Sequence, residues 1–433
     1  MPGRRSVVVA VVHRHELPTD AVSRAVRARR RTHTVGMKTI VKASTAQDFL
    51  ALVPQLLGFE AEESIVFVAF RGKRSIGAMR YDLPAPNSTP AHRKIATTLV
   101  GMVSKLPDVD AVLPVVYTAR PFAGETGVPF ADFLRPVIDR FEFSGIDVKD
   151  ALCVAGDGWG SYLDPACPPG GRPLDGIASS RIEDEIPEEL RQPLRSIEEW
   201  TRLPAVDLAA KERVARRIRT LATMIGVLRT RAWAEGGDAE PTDDGSTAAA
   251  GRQSLTNAEI DAVLDVHLLN NLPSFVETVF QCDPRRLPDR AAALLIHAAQ
   301  SPALRDVLLM QWAFDRQTGE RVLDDAERFR EGESAGALET SNMMLGEGPR
   351  PDSDRIESAL AIVKALAAVA PRGQRPPLFC ILGWLSWALG RSSVAARFVE
   401  SAVEIDPSYG FAEILQMMLA RGMLPEWAFE ARP

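Results

Sequence analysis

The chain has 433 residues, of which 46% are hydrophobic and 25% are charged, and its formal net charge is −6. Single hydrophobic cores rarely outgrow about 250–300 residues, so this length predicts two or three domains with ordinary packed cores. The acidic balance makes nucleic acid an unlikely partner, because neutralising phosphates requires clustered cations. Four widely spaced cysteines and the lack of a long apolar run predict a reduced, cytoplasmic protein without a membrane segment.

The first 37 residues read as a basic N-terminal extension. Residues 1–36 contain eight arginines against only Glu16 and Asp20. We expect this extension to be disordered, or not translated if Met37 is the true initiator. The functional alternative is an arm that contacts nucleic acid or an acidic partner.

Residues 38–180 alternate between helical and strand patterns, which predicts an α/β domain. Ser44 and Gln47 have the spacing of a capping box, and apolar residues follow at helical spacing up to Gly58. The later elements are predicted as strands at 64–70 and 75–83, a helix at 91–105, a strand at 111–118, a helix at 130–143 and a strand at 149–155. The order α-β-β-α-β-α-β predicts a mixed sheet with flanking helices.

The loop from Asp157 to Gly171, directly after the last predicted strand, is the strongest candidate site. Ligands of α/β sheets tend to bind where strands end. A lone cysteine is a nucleophile only with a base beside it, and no histidine lies near Cys167 in the sequence. We therefore predict contact with a ligand or a partner, or a purely structural loop, and assign no catalytic residue. The candidate contact residues in the loop are Asp157, Trp159, Ser161, Tyr162 and Cys167.

Three glycines at positions 156, 158 and 160 look like a fragment of a dinucleotide-binding fingerprint. In that fingerprint a helix follows the glycines, and its first amides bind the pyrophosphate. Here the sequence Ser-Tyr-Leu-Asp-Pro follows Gly160, so we predict a hairpin turn instead. The sequence holds no other catalytic signature and no spacing typical of metal ligands, and we assign no cofactor and no metal.

Arg80 and Asp82 form a second candidate, because alternate residues of a strand share one face. The functional interpretation is a charge pair that lines a pocket. The alternative is a solvated salt bridge at the edge of the sheet, worth less than about 1 kcal/mol.

After residue 180 the chain is predicted to be almost wholly helical. Residues 181–234 form a charged helical connector, with seven acids in 183–199 and seven basic side chains in 211–231. We expect the two stretches to neutralise each other; nucleic-acid binding by the second is the alternative. The remaining divisions are a flexible acidic linker at 235–253, a helical domain at 254–421 and a tail at 422–433. Helices are predicted at 257–270, 290–300, 303–314, 355–369 and 411–421, with a loop at 331–353.

Residues 376–409 have the spacing of one tetratricopeptide-like helix–turn–helix unit. Gly383 lets the two helices approach, Gly390 permits the turn and Pro407 ends the second helix. Trp384 and Trp387 are predicted to pack in the core, with exposure in a groove as the alternative. The framework positions are Phe379, Leu382, Gly383, Gly390, Ala395, Val399, Ala402 and Pro407.

Several of these stretches together resemble one protein family. The segments Leu52–Phe59, Glu63–Val66, Arg80–Pro84, Asp157–Tyr162 and Cys167–Gly171 are similar to the actinobacterial family called domain of unknown function 4192. The resemblance covers roughly residues 38–421. Members often carry further cysteines around the Cys-Pro pair, whereas this chain has only Cys167, so no metal or disulfide role is carried over. The resemblance implies an architecture and no activity.

Two functions from different classes follow. The leading prediction is a non-catalytic protein that binds a protein partner, of unknown identity, through its helical C-terminal half. It requires the helices of 257–370 to stack as degenerate repeats. The alternative is a small-molecule-binding or enzymatic α/β domain with a site around Arg80, Asp82 and the loop 157–171. The sequence leaves the oligomeric state undetermined.

Overall fold

A computed structural model describes residues 11–12, 39–84, 89–123, 127–188, 191, 194–236, 257–332 and 339–429. Within these ranges the chain forms two compact units. The first ends at Glu199 and also includes Phe429, and the second runs from Trp200 to Ala428. Most of the predicted basic extension, the predicted linker from residue 237 onward and residues 430–433 lie outside the described residues.

The first unit is built on a mixed sheet, as the sequence predicted. The described strands are β1 Val11–Val12, β2 Thr39–Ile40, β3 Ser64–Arg71, β4 Arg74–Asp82, β5 Ala111–Tyr117, β6 Asp147–Val148, β7 Leu152–Val154 and β8 Trp159–Ser161. The described helices up to residue 201 are α1 Ala46–Leu57, α2 Thr89–Val103, α3 Ala131–Phe143, α4 Asp175–Ala178 and α5 Ile197–Thr201.

The main sheet has the strand order β4-β3-β5-β7-β8, and β6 also pairs with β5. The central pair β5 and β7 is parallel, while β3–β4, β3–β5 and β7–β8 are antiparallel. Parallel strands need a crossover, and α3 provides it between β5 and β7. β1 and β2 form a separate two-stranded antiparallel pair.

Helices cover both faces of the sheet. On one face α1 packs with residues such as Val66, Val115 and Leu152. On the other face α2 and α3 pack with residues such as Phe67, Val116 and Cys153. Side chains alternate between the faces of a strand, so the continuous apolar runs of β3 and β5 are explained by burial on both sides.

The start of α1 differs from the predicted capping box by one residue. Thr45, not Ser44, is the N-cap: its hydroxyl accepts from the Asp48 amide at 3.1 Å, and the Asp48 carboxylate accepts from the Thr45 amide at 3.2 Å. The helix continues through Pro54 to Leu57 and ends at Gly58, whose φ of 79° suits a glycine cap.

The strand predicted at 149–155 is interrupted, and β6 and β7 both pair with β5 on the same side. Asp150 lies in the interruption and turns its carboxylate onto the Ala151 amide at 2.8 Å and the Ser161 hydroxyl at 2.6 Å. Aspartate commonly bonds its own backbone in this way, and the bond competes with regular strand pairing.

The second unit is helical throughout its described part. Its helices after α5 are α6 Leu208–Gly236, α7 Asn257–Asn270, α8 Leu272–Phe280, α9 Asp289–Ala299, α10 Pro302–Ala313, α11 Arg316–Arg330, α12 Glu339–Met344, α13 Ser353–Val369, α14 Pro376–Ala388, α15 Ser392–Val403 and α16 Gly410–Ala420. The sequence analysis did not predict α8 and α11, and α12 lies inside the predicted loop at 331–353.

The hairpin predicted at 376–409 is present as α14 and α15. Gly390 has a φ of 81°, and a Cβ on Gly383 would lie 2.8 Å from a Val399 methyl carbon, so both glycines act as the sequence indicated. Every residue of α14 is buried, including Trp384 and Trp387. Neither tryptophan is exposed in a groove, because α14 is the centre of the core and not the lining of an open surface.

The acidic stretch 183–199 and the basic stretch 211–231 were expected to neutralise each other, and Arg213 departs from this expectation. This side chain forms its ion pair with Asp289 of α9, at 2.7 Å, and not with the acidic stretch 183–199. In the described ranges no helix combines the length and apolar character that a membrane crossing requires.

Candidate functional site

One row of residues crosses the whole sheet at the end where β5 and β7 terminate. The register pairs Asp82 with Ser64, Ser64 with Tyr117, Tyr117 with Val154 and Val154 with Trp159. Directly paired residues point to the same face, and Tyr117 and Trp159 belong to the core under α1. The row therefore lies on the α1 side of the sheet, beside the strand ends where α/β proteins usually bind ligands.

Three side chains of this row are buried polar groups without a hydrogen bond. Ser64 Oγ, Tyr117 Oη and Trp159 Nε1 have no partner within the described part of the chain, and Trp159 is 4% exposed. We call Ser64, Tyr117 and Trp159 the donor row, since each can donate and the indole can only donate. Leaving one such group unpaired costs about 1–3 kcal/mol, so three together call for an explanation.

Three other described side chains with a buried unpaired atom differ in kind from the donor row. Gln311, Arg355 and Arg391 each leave one atom unpaired while another atom of the same group is bonded. Each member of the donor row has a single polar atom, and that atom is the one left unpaired. The donor row is therefore the place where a missing acceptor is most clearly indicated.

Arg80 and Asp82 form the predicted charge pair, with 2.7 Å between Arg80 Nη1 and Asp82 Oδ1. The Arg80 side chain is only 11% exposed and also donates to the Glu62 carbonyl at 3.0 Å. Both residues share the face of the donor row, but they lie on edge strand β4 while Trp159 lies on edge strand β8. Four strand spacings separate these edges, about 19 Å, so Arg80, Asp82 and the loop 157–171 do not form one compact pocket.

Asp157 holds the loop that follows β5. Its carboxylate accepts from the Phe122 amide at 2.7 Å and from the Ala123 amide at 3.2 Å. The backbone bond from Phe122 is the main reason that the pKa of Asp157 lies below its ordinary value. The structure thus gives Asp157 a positioning role in the turn after β7.

Glu63 holds the same loop from the opposite side, and sequence reasoning missed it. Its carboxylate accepts from the Ala119 amide at 2.5 Å and from the Thr118 hydroxyl at 3.0 Å. Glu63 has a φ of 39°, a left-handed conformation that is strained for this residue type. Strained residues cluster at functional sites. Two sequence signals pointed to it: its position just before a buried strand and its place in the segment Glu63–Val66 of the family resemblance.

The remaining predicted residues of the loop make structural contacts. Ser161 donates to Asp150, and the Tyr162 hydroxyl donates to the Pro129 carbonyl at 2.5 Å. Cys167 packs against Gly160, where an added Cβ would lie 2.5 Å from its sulfur. These contacts fit the structural interpretation of the loop.

Cys153 lies next to this loop, in the core under α2 and α3. Burial raises the pKa of its thiol to about 12, so it stays protonated at neutral pH. No cluster of three or more His, Cys, Asp or Glu side chains suited to a metal ion occurs in the described ranges.

Short elements cover the Trp159 end of the donor row. Ile177 of α4, together with Ile182 and Ile186, packs in the same core as Trp159. The Arg172 guanidinium lies 5.2 Å from the centre of the Trp159 ring and is held by Asp164. A cover of short irregular segments is the type of structure that moves to admit ligands.

The fold and this site define a two-unit protein: an open mixed sheet between helices, with a donor row at the strand ends, and an all-helical unit. The chain belongs to the family described as a domain of unknown function, DUF4192, whose profile matches residues 47–338. The predicted family resemblance is confirmed, and the match ends before α12. No curated protein and no solved structure matches the chain.

Proposed function

We propose that the α/β unit binds a small molecule rich in acceptor oxygens on the α1 side of its sheet. The single observation that carries this proposal is the donor row. The three donors extend over three strand spacings, about 14 Å, so a ligand with several acceptor oxygens along its length compensates for their burial, whereas one carboxylate or phosphoryl group reaches only part of the row. Trp159 excludes a group that only donates at its position, since an indole cannot accept.

Two guanidinium groups flank the row at opposite edges of the sheet and add hydrogen-bond donors to it. Arg80 lies on the same face at one edge of the sheet, and Arg172 stacks on Trp159 at the other. Each guanidinium is held by a carboxylate, Asp82 or Asp164, and is fixed in position by it. Because both charges are already paired and the two edges lie about 19 Å apart, each guanidinium adds oriented N–H donors at its own end of the row and not a free positive charge.

The test uses the full-length protein labelled with ¹⁵N-tryptophan. The indole signal of Trp159 is assigned by its loss in Trp159→Phe. Inorganic phosphate, glycerol 3-phosphate and malate are then titrated as probes. We expect at least one probe to shift the Trp159 signal and to leave the signals of Trp384 and Trp387 in place.

Two tyrosines on opposite faces of the sheet show which face binds the probe. Tyr117→Phe removes a donor of the row, and we expect it to weaken binding about tenfold, the effect of roughly one hydrogen bond. Tyr81→Phe removes a hydroxyl from the other face and should leave the affinity unchanged. If no probe moves the Trp159 signal, or if both variants weaken binding equally, the proposal fails.

A second candidate function is the binding of a protein partner through the helical unit. Its support is an apolar patch on the outer side of α16 and the following turn, where Ile414 and Met417 are each 48% exposed and Met423 is 38% exposed. Ile414 and Met417 are three positions apart and therefore neighbours on the helix. Flexible methionines adapt to the apolar face of a partner helix.

Co-purification with three full-length baits tests this candidate. The baits are the wild type, the double variant Ile414→Lys/Met417→Lys and the control Gln416→Lys/Ala420→Lys, which places the same two charges at other exposed positions of α16. We expect one partner in near-equal amount with the wild type and the control, and its loss with the double variant. Equal recovery with all three baits would contradict the assignment to this patch.

A further inference from the structure

A cleft in the helical unit lies between α6, α7 and α9 and has a volume of about 170 Å³. This size is close to the roughly 150 Å³ of a protein cavity that binds benzene, so the cleft suits a small organic molecule. Its floor is apolar, because Leu221, Ala293 and Leu294 are buried there. The cleft is in the other unit of the chain and is independent of the donor row.

Two ion pairs fix the helices that form the cleft. Arg213 of α6 pairs with Asp289 of α9 at 2.7 Å, and Arg290 of α9 pairs with Asp265 of α7 at 2.6 Å. Arg290 also donates to the Asp261 backbone carbonyl at 3.3 Å. The charges of Arg290 and Asp265 neutralise each other and are not free for a ligand.

Three charged side chains of the cleft are left after these pairs are formed. Arg216 and Arg217 on α6 and Asp261 on α7 line the cleft, and none of the three side chains forms an ion pair or a hydrogen bond within the described residues. Thr220 lies one turn beyond the two arginines on the same wall. The cleft thus offers two cations and a hydroxyl on one helix, one anion on another and an apolar floor between them.

We infer that this cleft binds a small zwitterion with an apolar body, such as a free aliphatic α-amino acid. The ligand carboxylate accepts from Arg216 and Arg217, whose guanidinium groups suit a carboxylate. The ligand ammonium faces Asp261. The aliphatic side chain covers the floor at Leu221 and Leu294. Each part of such a ligand meets a matching part of the cleft.

Matched ligands test the zwitterion by calorimetric titration of the full-length protein. Leucine carries both charges, 4-methylpentanoate has the same skeleton without the amine, and isoamylamine lacks the carboxylate. We expect leucine to bind and each analogue to bind about tenfold more weakly, the effect of roughly one charge-assisted hydrogen bond. If 4-methylpentanoate binds as tightly as leucine, or if leucine does not bind, the inference is overturned.

Matched variants locate the binding. Arg217→Gln and Asp261→Asn each remove one charge from an exposed position of the cleft, and we expect each to weaken leucine binding about tenfold. Arg219→Gln makes the same change on α6 outside the cleft and should leave the affinity unchanged. Melting temperatures of all three variants check that the fold is retained. Equal affinities in the wild type, Arg217→Gln and Asp261→Asn would overturn the inference.

Discussion

Three buried tryptophans of the helical unit differ from Trp159 of the α/β unit in the hydrogen bonds of their indoles. In the helical unit, the indoles of Trp384, Trp387 and Trp427 donate to the backbone carbonyls of Met344, Met423 and Ala388 at 2.8, 2.7 and 3.1 Å. In the α/β unit, Trp159 is buried as deeply and donates to no group in the described ranges. Backbone carbonyls exposed at helix ends and loops satisfy the first set. The inner strands of the sheet offer few free backbone carbonyls, because these carbonyls already accept hydrogen bonds from neighbouring strands. Within the described residues, Trp159 is thus the tryptophan whose indole nitrogen is both buried and without a hydrogen-bond acceptor.

The largest expected loss of stability follows the removal of a tryptophan whose indole is hydrogen-bonded. Trp384→Ala removes a fully buried ring and its hydrogen bond to Met344, and we expect a loss of about 3–5 kcal/mol in the free energy of unfolding. Urea unfolding followed by far-ultraviolet circular dichroism measures it. A loss below about 1 kcal/mol would show that the core around α14 is not as closed as the burial indicates.

The next largest loss of stability is expected where α14 packs closely on α15. Gly383→Ala places a Cβ 2.8 Å from the Val399 methyl carbon, and we expect overpacking to cost about 1–3 kcal/mol. Gly101→Ala on α2 meets open space and should stabilise its helix by up to about 1 kcal/mol. Glycine-to-alanine substitution is thus expected to lower the melting temperature at position 383 and to raise it at position 101. Thermal unfolding of both variants measures the two changes, and a shift in the same direction at both sites would contradict the prediction.

The tryptophan comparison is tested most directly by one substitution at two positions. Trp387→Phe leaves the Met423 carbonyl without its donor, and we expect a loss of about 1–2 kcal/mol beyond the change in ring size. Trp159→Phe removes a donor that has no acceptor, so beyond the change in ring size we expect no loss of stability and a gain of up to about 1–3 kcal/mol. If Trp159→Phe is the more destabilising variant, the indole is satisfied in solution and the contrast between the units is lost.

The smallest expected effect is a dependence on pH of the stability that the Asp157 carboxylate contributes. The pKa of Asp157 in the folded protein is lowered below the ordinary 3.8, first by its bond from the Phe122 amide. A lowered folded pKa means that its stabilising contribution is complete above the unfolded value and is lost as the pH falls through the folded value. We expect the stability difference between the wild type and Asp157→Asn to shrink from pH 6 towards pH 2.5. A difference that is constant over this range would contradict the assignment.

Much of the fold could be predicted because local signals agree with it. The continuous apolar runs at Ile65–Phe70 and Ala111–Tyr117 and the glycine positions of the α14–α15 hairpin each act within a few residues. α11 was missed because its sequence is strongly polar, although its aspartate cap is an ordinary signal of a helix start: the Asp315 carboxylate accepts from the Thr318 amide at 2.7 Å.

The candidate site was predicted only in part, for a physical reason. Arg80, Asp82 and Trp159 were named from local pattern, whereas Ser64, Tyr117 and Glu63 were not. Residues join the row through strand register, which is set by pairings between segments about 20–60 positions apart. The loop residue Asp157 was named as a contact for a ligand, and in the structure its bonds go to the protein backbone.

The edge strands of the main sheet, β4 and β8, carry features that oppose backbone pairing with a second copy of the protein. An open edge strand is a template onto which another chain can add by backbone pairing. At β8, Arg172 already occupies the outer side of Trp159 through two backbone bonds of 2.7 and 2.9 Å. At β4, the charged side chains of Arg74, Arg80 and Asp82 would be brought against a second copy. We therefore expect these edges to resist edge-to-edge pairing with a second copy at high concentration.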